Sequence, residues 1–339
     1  MSGFIRRTRE VRDAEERDRL APLATRSAVS RGRVRDEPPD EYRTAFERDR
    51  DRIMHSKAFR RLKHKTQVFI NPEGDHFVTR LTHTIQVTQI ARALAAALSL
   101  NESLAEAIAL SHDVGHSPFG HTGEEALAPY FPGRGWHHAA QSVRVYEVLE
   151  DLNLTWEVRD GIRAHTWRIE PPPTTPEALC VRYGDRIAYL THDALDAVRA
   201  GILSFDSFPA AVGVRFGTPG RGWIGAMITA VIDESMAAGE VRMDPDTLAV
   251  MHQLREFMFE NVYMSTQQRA RQDGAIALIR GLVDYLLAHP DELPLNFRGT
   301  DADLVTQVVD YVAGMTDRFA VATYERLCGA SPVVAAGLA

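Results

Sequence analysis

Cysteine is scarce in this chain. Its 339 residues include two cysteines, Cys180 and Cys328, far apart and without metal-type spacing. A disulfide framework and a thiolate metal site are therefore both excluded, and a reducing, cytoplasmic setting is expected. Long apolar runs are missing as well. The most apolar helical stretch, IARALAAALSL over residues 90–100, carries Arg92 and falls short of the roughly 20 residues that cross a bilayer. The N-terminal MSGFIRRTREVRDAEERDRL lacks the apolar core of a secretory signal. A soluble protein with no membrane partner is the expectation. No βαβ alternation and no internal repeat is found, which removes parallel-sheet and solenoid architectures.

What remains is 45% apolar and 25% charged, enough to bury a sizeable core as one large domain or two smaller ones. Charge is uneven. Residues 1–65 hold 19 Lys and Arg against 12 Asp and Glu, whereas the rest hold 20 against 34. A basic end on an acidic body points to an anionic partner, a nucleic acid or a phosphate-bearing small molecule. For residues 1–40 the plainer reading is a flexible, solvated tail.

Helical periodicity dominates the remainder. Residues 41–66 read as one charged helix, 80–100 as a strong helix, and 70–77 as a loop broken by Pro72 and Gly74. Asn101 is a candidate cap for the next helix, and Ser103 with Glu106 has capping-box spacing. Further helices are expected over 137–151, 156–166, 178–200, 224–289 and 301–327. EPPPTTPE (170–177) reads as a stiff linker and GVRFGTPGRGW (213–223) as a glycine-rich loop. The fold class is all-α, with room for one small hairpin. Residues 41–210 form the expected core, and 211–339 a C-terminal helical region that completes the site and makes oligomer contacts.

The chain has 13 histidines, and HDVGHSPFGHTGEE (112–125) packs three of them and three acids into fourteen residues. A tight turn gains little from so many ionisable groups, so chemistry is the better explanation. His112 and Asp113 point about 100° apart on a regular helix. At a helix end frayed by Gly115 and Pro118 both can converge on one divalent cation, which takes neutral imidazole and ionised carboxylate ligands. His83 is the first candidate for a third ligand, although a lone histidine on an amphipathic helix is ordinarily a core-edge residue. Asp185, Asp193 and Asp196 in DRIAYLTHDALDA (185–197) are candidates for a fourth. Asp185, Tyr189 and Asp193 recur every four residues, so one helix face carries an acid, a phenol and an acid along about 12 Å. That length suits a metal-bound phosphate at one end and a sugar at the other. A zinc peptidase would need His-Glu-x-x-His on an unbroken helix. Asp113 is shorter than glutamate and Gly115 and Pro118 break the helix, so that reading fails.

These residues resemble the HD superfamily of metal phosphohydrolases, with its His…His-Asp…Asp pattern. More closely, FERDRDRIMHSKAFRRLKHKTQVF (46–69), TRLTHT (79–84), HDVGHSPFGHTGEEAL (112–127), DRIAYLTHDALDA and FMFENVYMS (257–265) are similar to the deoxyguanosinetriphosphate triphosphohydrolase-like family. The resemblance covers roughly residues 41–330. It implies an HD-domain helical bundle with additional C-terminal helices, and hydrolysis of a deoxynucleoside triphosphate (dNTP) to deoxynucleoside and inorganic triphosphate. It assigns His83, His112, Asp113 and Asp185 as metal ligands, choosing Asp185 over Asp193. His121 and Glu124 match the catalytic pair, with His116 and His138 as phosphate-facing companions. Gln67, Tyr189 and Asp193 match sugar contacts, and Arg80 and Arg186 phosphate contacts. The ligand types suit Mn, Fe, Co, Ni or Zn, with Mg accompanying the substrate phosphates.

The resemblance also implies a homo-oligomer and an activating nucleotide at a second site, while the basic N-terminal part makes single-stranded nucleic acid a further candidate partner. One departure stands out. Relatives often carry His-Asn-x-Gln where this chain reads His138-Ala139-Ala140-Gln141, which puts fine site geometry or substrate preference in question. Two other readings stay open at this point. One is an HD phosphodiesterase or nucleotidase cleaving at a different phosphorus, and the other a non-catalytic nucleotide- or nucleic-acid-binding protein of the same fold.

Overall fold

The computed structural model describes residues 3–70 and 76–335. Among them there is no sheet, and an antiparallel bridge between Thr66 and Thr79 stands where a hairpin was thought possible. The chain is all-α. In order the helices are α1 (Arg9–Arg19), α2 (Ala45–His55), α3 (Lys57–Arg61), α4 (Arg80–Ala97), α5 (Glu102–Ser111), α6 (His121–Leu127), α7 (His138–Arg144), α8 (Trp156–Ala164) and α9 (Pro176–Arg199). They continue as α10 (Ala210–Phe216), α11 (Arg221–Ala238), α12 (Pro245–Met258), α13 (Thr266–Ala288), α14 (Leu295–Arg298), α15 (Leu304–Ala313), α16 (Asp317–Cys328) and α17 (Pro332–Ala335). No helix among the described residues is long and apolar enough to cross a membrane.

Local chemistry sets most boundaries. Asn101 accepts from the Ser103 and Leu104 N–H groups and starts α5, so the Ser103–Glu106 spacing lies inside the helix and is not its cap. Pro176 at the first position and the Thr175 hydroxyl as cap start α9, ending the proline linker at Thr175. The single helix expected over 41–66 is broken at Ser56, which closes α2 and whose hydroxyl accepts from Phe59 N–H to open α3. The glycine-rich loop is shorter than expected, because α10 runs to Phe216 and α11 begins at Arg221.

Two apolar cores result. The first gathers α2, α4, α5, α8, α9, α11 and α12, with Phe46, Leu94, Ile108, Ile187, Trp223 and Leu254 buried in it. The second is built on α13, α15 and α16 and takes in Ala126 and Leu127 of α6. The cores divide between Val262 and Ala275, well beyond residue 210, and α6 belongs to the second although it lies early in the chain. At the centre of the first core α4 and α9 pack closely. A Cβ on Gly184 would sit 3.3 Å from the Ala91 nitrogen, so a small residue here sets the approach that brings Asp185 to His83.

The segment over residues 9–35, expected to be a flexible tail, is drawn onto the first core. Buried acids supply the reason, since each accepts donors from this segment. Glu16, which takes the Ser27 N–H and hydroxyl within the segment, also accepts from the Asn101 side chain at the start of α5, while Glu177 takes the N–H and hydroxyl of Thr25 and Glu157 the Ser30 hydroxyl and Arg31 N–H. Arg33 pairs with Asp49, whose carboxylate is 0% exposed and also accepts from Thr155. Arg33→Met should therefore destabilise the protein by about 3–5 kcal/mol, the cost of leaving a buried charge unpaired. Denaturant midpoints measure this, and a loss below about 1 kcal/mol would contradict the packing of the segment.

Candidate active site

Four side chains from three separate stretches meet in the first core. His83 projects from α4, His112 and Asp113 follow the last turn of α5, and Asp185 lies on α9. His83 Nε2 is 3.2 Å from Asp185 Oδ1 and 3.7 Å from Asp113 Oδ2. His112 Nε2 is 3.5 Å from Asp113 Oδ1 and 4.0 Å from Asp185 Oδ1. His112 Nδ1 sits 2.6 Å from the Ala109 carbonyl, which only accepts, so Nδ1 carries the hydrogen and Nε2 offers a lone pair. That Nε2 is buried without a hydrogen-bond partner.

Protonation states agree with a cation site. Burial holds the His83 ring below the ordinary imidazole range. Burial pushes the Asp113 carboxyl upward, but the charges of His112, Arg80 and His116 outweigh it and hold it well below the usual carboxylate range. Asp185 behaves alike: burial opposes ionisation, and the hydrogen bond from His83 with the neighbouring histidine charges overcomes it. A buried lone pair aimed at two ionised carboxylates fits a divalent metal ion.

The proposed catalytic pair lies beside this centre. His121 Nδ1 is 2.9 Å from Glu124 Oε2, on the first turn of α6. Glu124 also faces His138 Nδ1 at 3.2 Å and accepts from the His138 N–H at 3.2 Å. Burial pushes the Glu124 carboxyl up, but hydrogen bonds from His121 and His138 and the nearby histidine charges hold it well below the usual range. His116 stacks on His138 with ring centres 3.8 Å apart, and Lys65 donates to its carbonyl.

The remaining candidates divide. Arg80 is 1% exposed and engaged with Asp113 and with the carbonyls of Thr66 and Gln67, so it holds the carboxylate of a proposed metal ligand in place. Arg186 stacks over Trp167 at 4.3 Å, and its buried Nε has no partner. Gln67 likewise has a buried, unpartnered Oε1. Asp193 accepts from the Tyr263 hydroxyl at 2.7 Å, and Tyr189 lies near Tyr263. Asp196 accepts from Val78 N–H and Arg199, which removes it from the ligand candidates. Ala139 is fully buried, and Gln141 donates to Asp310 at 2.8 Å, tying α7 to α15.

Several neighbours gave no signal in the sequence. His165 lies 3.2 Å from His138, nitrogen to nitrogen, and His192 Nε2 is 2.9 Å from His83 Nδ1. Asp317 accepts from Thr66 and from the N–H of Phe119, a non-glycine residue held at φ +61° in the loop before His121. Arg255 of α12 reaches the field of Arg186 and Tyr189. Only the motif FMFENVYMS beside it gave a hint.

Gly115 explains the tight loop. Its N–H donates to the Ser142 hydroxyl, which donates in turn to the His112 carbonyl. A Cβ there would lie 2.2 Å from the Ser142 nitrogen and 2.5 Å from the His138 carbonyl oxygen. Gly115→Ala must therefore displace α7 and His138. The expected result is a loss of about 1–3 kcal/mol of stability, as for other overpacked sites, together with lower turnover. Thermal melting and an activity assay check both.

Comparison with known proteins follows this geometry. Residues 80–190 match the HD domain and residues 241–326 the phosphohydrolase-associated domain. A deoxyguanosinetriphosphate triphosphohydrolase-like protein of Caldanaerobacter subterraneus subsp. tengcongensis is 45% identical over 333 residues, spanning 96% of this chain and 97% of the relative. The chain belongs to the deoxyguanosinetriphosphate triphosphohydrolase-like family. Another member, from Desulfatibacillum aliphaticivorans, is 42% identical across 96% of this chain and 99% of its own. The fold is shared with the crystal structure of a hypothetical protein from Aquifex aeolicus, at a TM-score of 0.50 and 19% identity over 83% of this chain and 71% of that one. In this family member the HD match contains all four proposed ligands and the His121–Glu124 pair, whereas Gln67 and Asp193 lie outside it.

Proposed function

We propose that this protein hydrolyses a deoxynucleoside triphosphate to deoxynucleoside and inorganic triphosphate. The observation that carries the reading is the buried Nε2 of His112, unpartnered and facing the carboxylates of Asp113 and Asp185. With His83, these residues would hold a divalent ion of the Mn, Fe, Co, Ni or Zn type. When bound there, such an ion would neutralise α-phosphate charge and make a nearby water more acidic. The rest of the chemistry falls to side chains.

Water attacks the α-phosphorus, the bond to the 5′-oxygen breaks, and one proton passes overall from the water to that leaving oxygen. His121 delivers the proton, and Glu124 holds and tunes its ring from 2.9 Å away. Arg186 and Arg255, which have no acidic ion-pair partner among the described residues, take the charge of the remaining phosphates. The free Oε1 of Gln67 and the Asp193–Tyr263 pair receive the sugar hydroxyls. Incubating the protein with each dNTP and Mg or Mn in H₂¹⁸O tests the reaction. Unlabelled deoxynucleoside and triphosphate carrying one ¹⁸O are expected, while release of pyrophosphate or orthophosphate would overturn the reading.

A further inference from the structure

Beside the proposed ligands lies a second cluster of donor atoms, and hydrogen-bond accounting leaves it one cation short. His116, His121, Glu124 and His138 each present one ligand-type atom, all within 4.8 Å of one another. His165 Nδ1 is 2.8 Å from the Ile162 carbonyl oxygen. That oxygen only accepts, so Nδ1 carries the hydrogen and Nε2 of the neutral ring is a lone pair. His138 Nε2 faces this lone pair at 3.2 Å and must carry a hydrogen. The other nitrogen of a neutral His138 ring is then a lone pair too, and it faces Glu124 Oε2 at 3.2 Å.

Two lone pairs buried face to face require a positive charge between them. A proton supplies it in one state, and a metal ion can supply it in another. His116 gives an independent sign. It is 1% exposed, its Nδ1 has no hydrogen-bond partner, and its Nε2 lies 3.3 Å from Asp113 Oδ1. His121 closes the cluster from the solvent side, its side chain 67% exposed and free to swing inward.

We propose that His116, His121, Glu124 and His138 form a second cation site, selective for a zinc-type ion, and that filling it switches the enzyme off. Three imidazoles and one carboxylate suit Zn, Co or Ni and are a poor set for Mg. Ligand atoms at about 2.0–2.2 Å from such an ion stand roughly 3.3 Å apart, a contraction that the exposed His121 can provide. The inhibitory half rests on the reaction proposed above, because a metal held by His121 and Glu124 displaces the proton they pass. The site itself does not depend on that reaction.

The test is zinc titration of the full-length protein, with bound metal counted by mass spectrometry and turnover followed under Mn. The native chain should bind two zinc ions, and the second should abolish turnover. A second equivalent of Co should give the visible absorption of a four-coordinate site. His121→Ala, altered at an exposed position and so expected to fold, should weaken the second zinc by about tenfold or more and lose that absorption. One zinc per native chain, or two bound equally by native and His121→Ala proteins, overturns the site. Two bound with undiminished turnover overturns the switch. Two zinc ions bound, with no triphosphate released from any dNTP under Mn alone, would leave the site standing and sink the proposed reaction instead.

Discussion

Glu124→Ala is expected to keep the ion at His83, His112, Asp113 and Asp185 and to lose turnover by about 10²–10⁴-fold, the range for removing general acid–base assistance. The separation follows from position. Glu124 reaches His121 and His138, at 2.9 and 3.2 Å, and among the described residues makes no hydrogen bond or ion pair with the four proposed ligands. Its carboxyl, held well below the usual range by those imidazoles, stays ionised at every pH at which the enzyme would work. The acid limb of a pH–rate profile should therefore report a histidine or the substrate. Metal content and dNTP turnover measured on one preparation check the prediction, and loss of the metal alongside activity would remove the assigned role.

His112→Ala should do the reverse. Its ring supplies a buried lone pair fixed by the Ala109 carbonyl, and alanine removes that donor atom from beside the two carboxylates. Metal affinity should fall by about a hundredfold or more, beyond the ten- to hundredfold typical of an outer partner. Turnover should fall with occupancy and recover in part at high Mn. An unchanged metal content would mean that the cation does not sit at this histidine. Folding should survive, because removing one buried ring costs a few kcal/mol at most by analogy with other large-to-small changes.

Much of this was legible before any coordinates, because the relevant signals are local. The periodicity of residues 80–100 places α4, and the His-Asp pair beside Gly115 and Pro118 marks the bent end of α5. What escaped was non-local or depended on partners. His165, His192 and Asp317 are single residues with no motif spacing of their own, and only the fold carries them to the site. Ser56 breaks a periodic pattern through a cap at each side, which apolar spacing does not register. The N-terminal stretch misled for another reason. Counting charges makes it a solvated tail, but Glu16, Asp49, Glu157 and Glu177 are buried acids that wait for its hydroxyls, amides and Arg33.

The loop from His112 to His121 begins beside Val114 in the first core and reaches Phe119 in the second. The proposed metal ligands thus ride on one packed body, and the proposed proton-handling pair on the other. Lys65 to Ala313, Gln141 and Arg144 to Asp310, and Thr66 to Asp317 are the rivets between them. Alignment of acid and electrophile is consequently a property of how the two halves are bolted together. Loosening the far half would leave a fully loaded but idle enzyme.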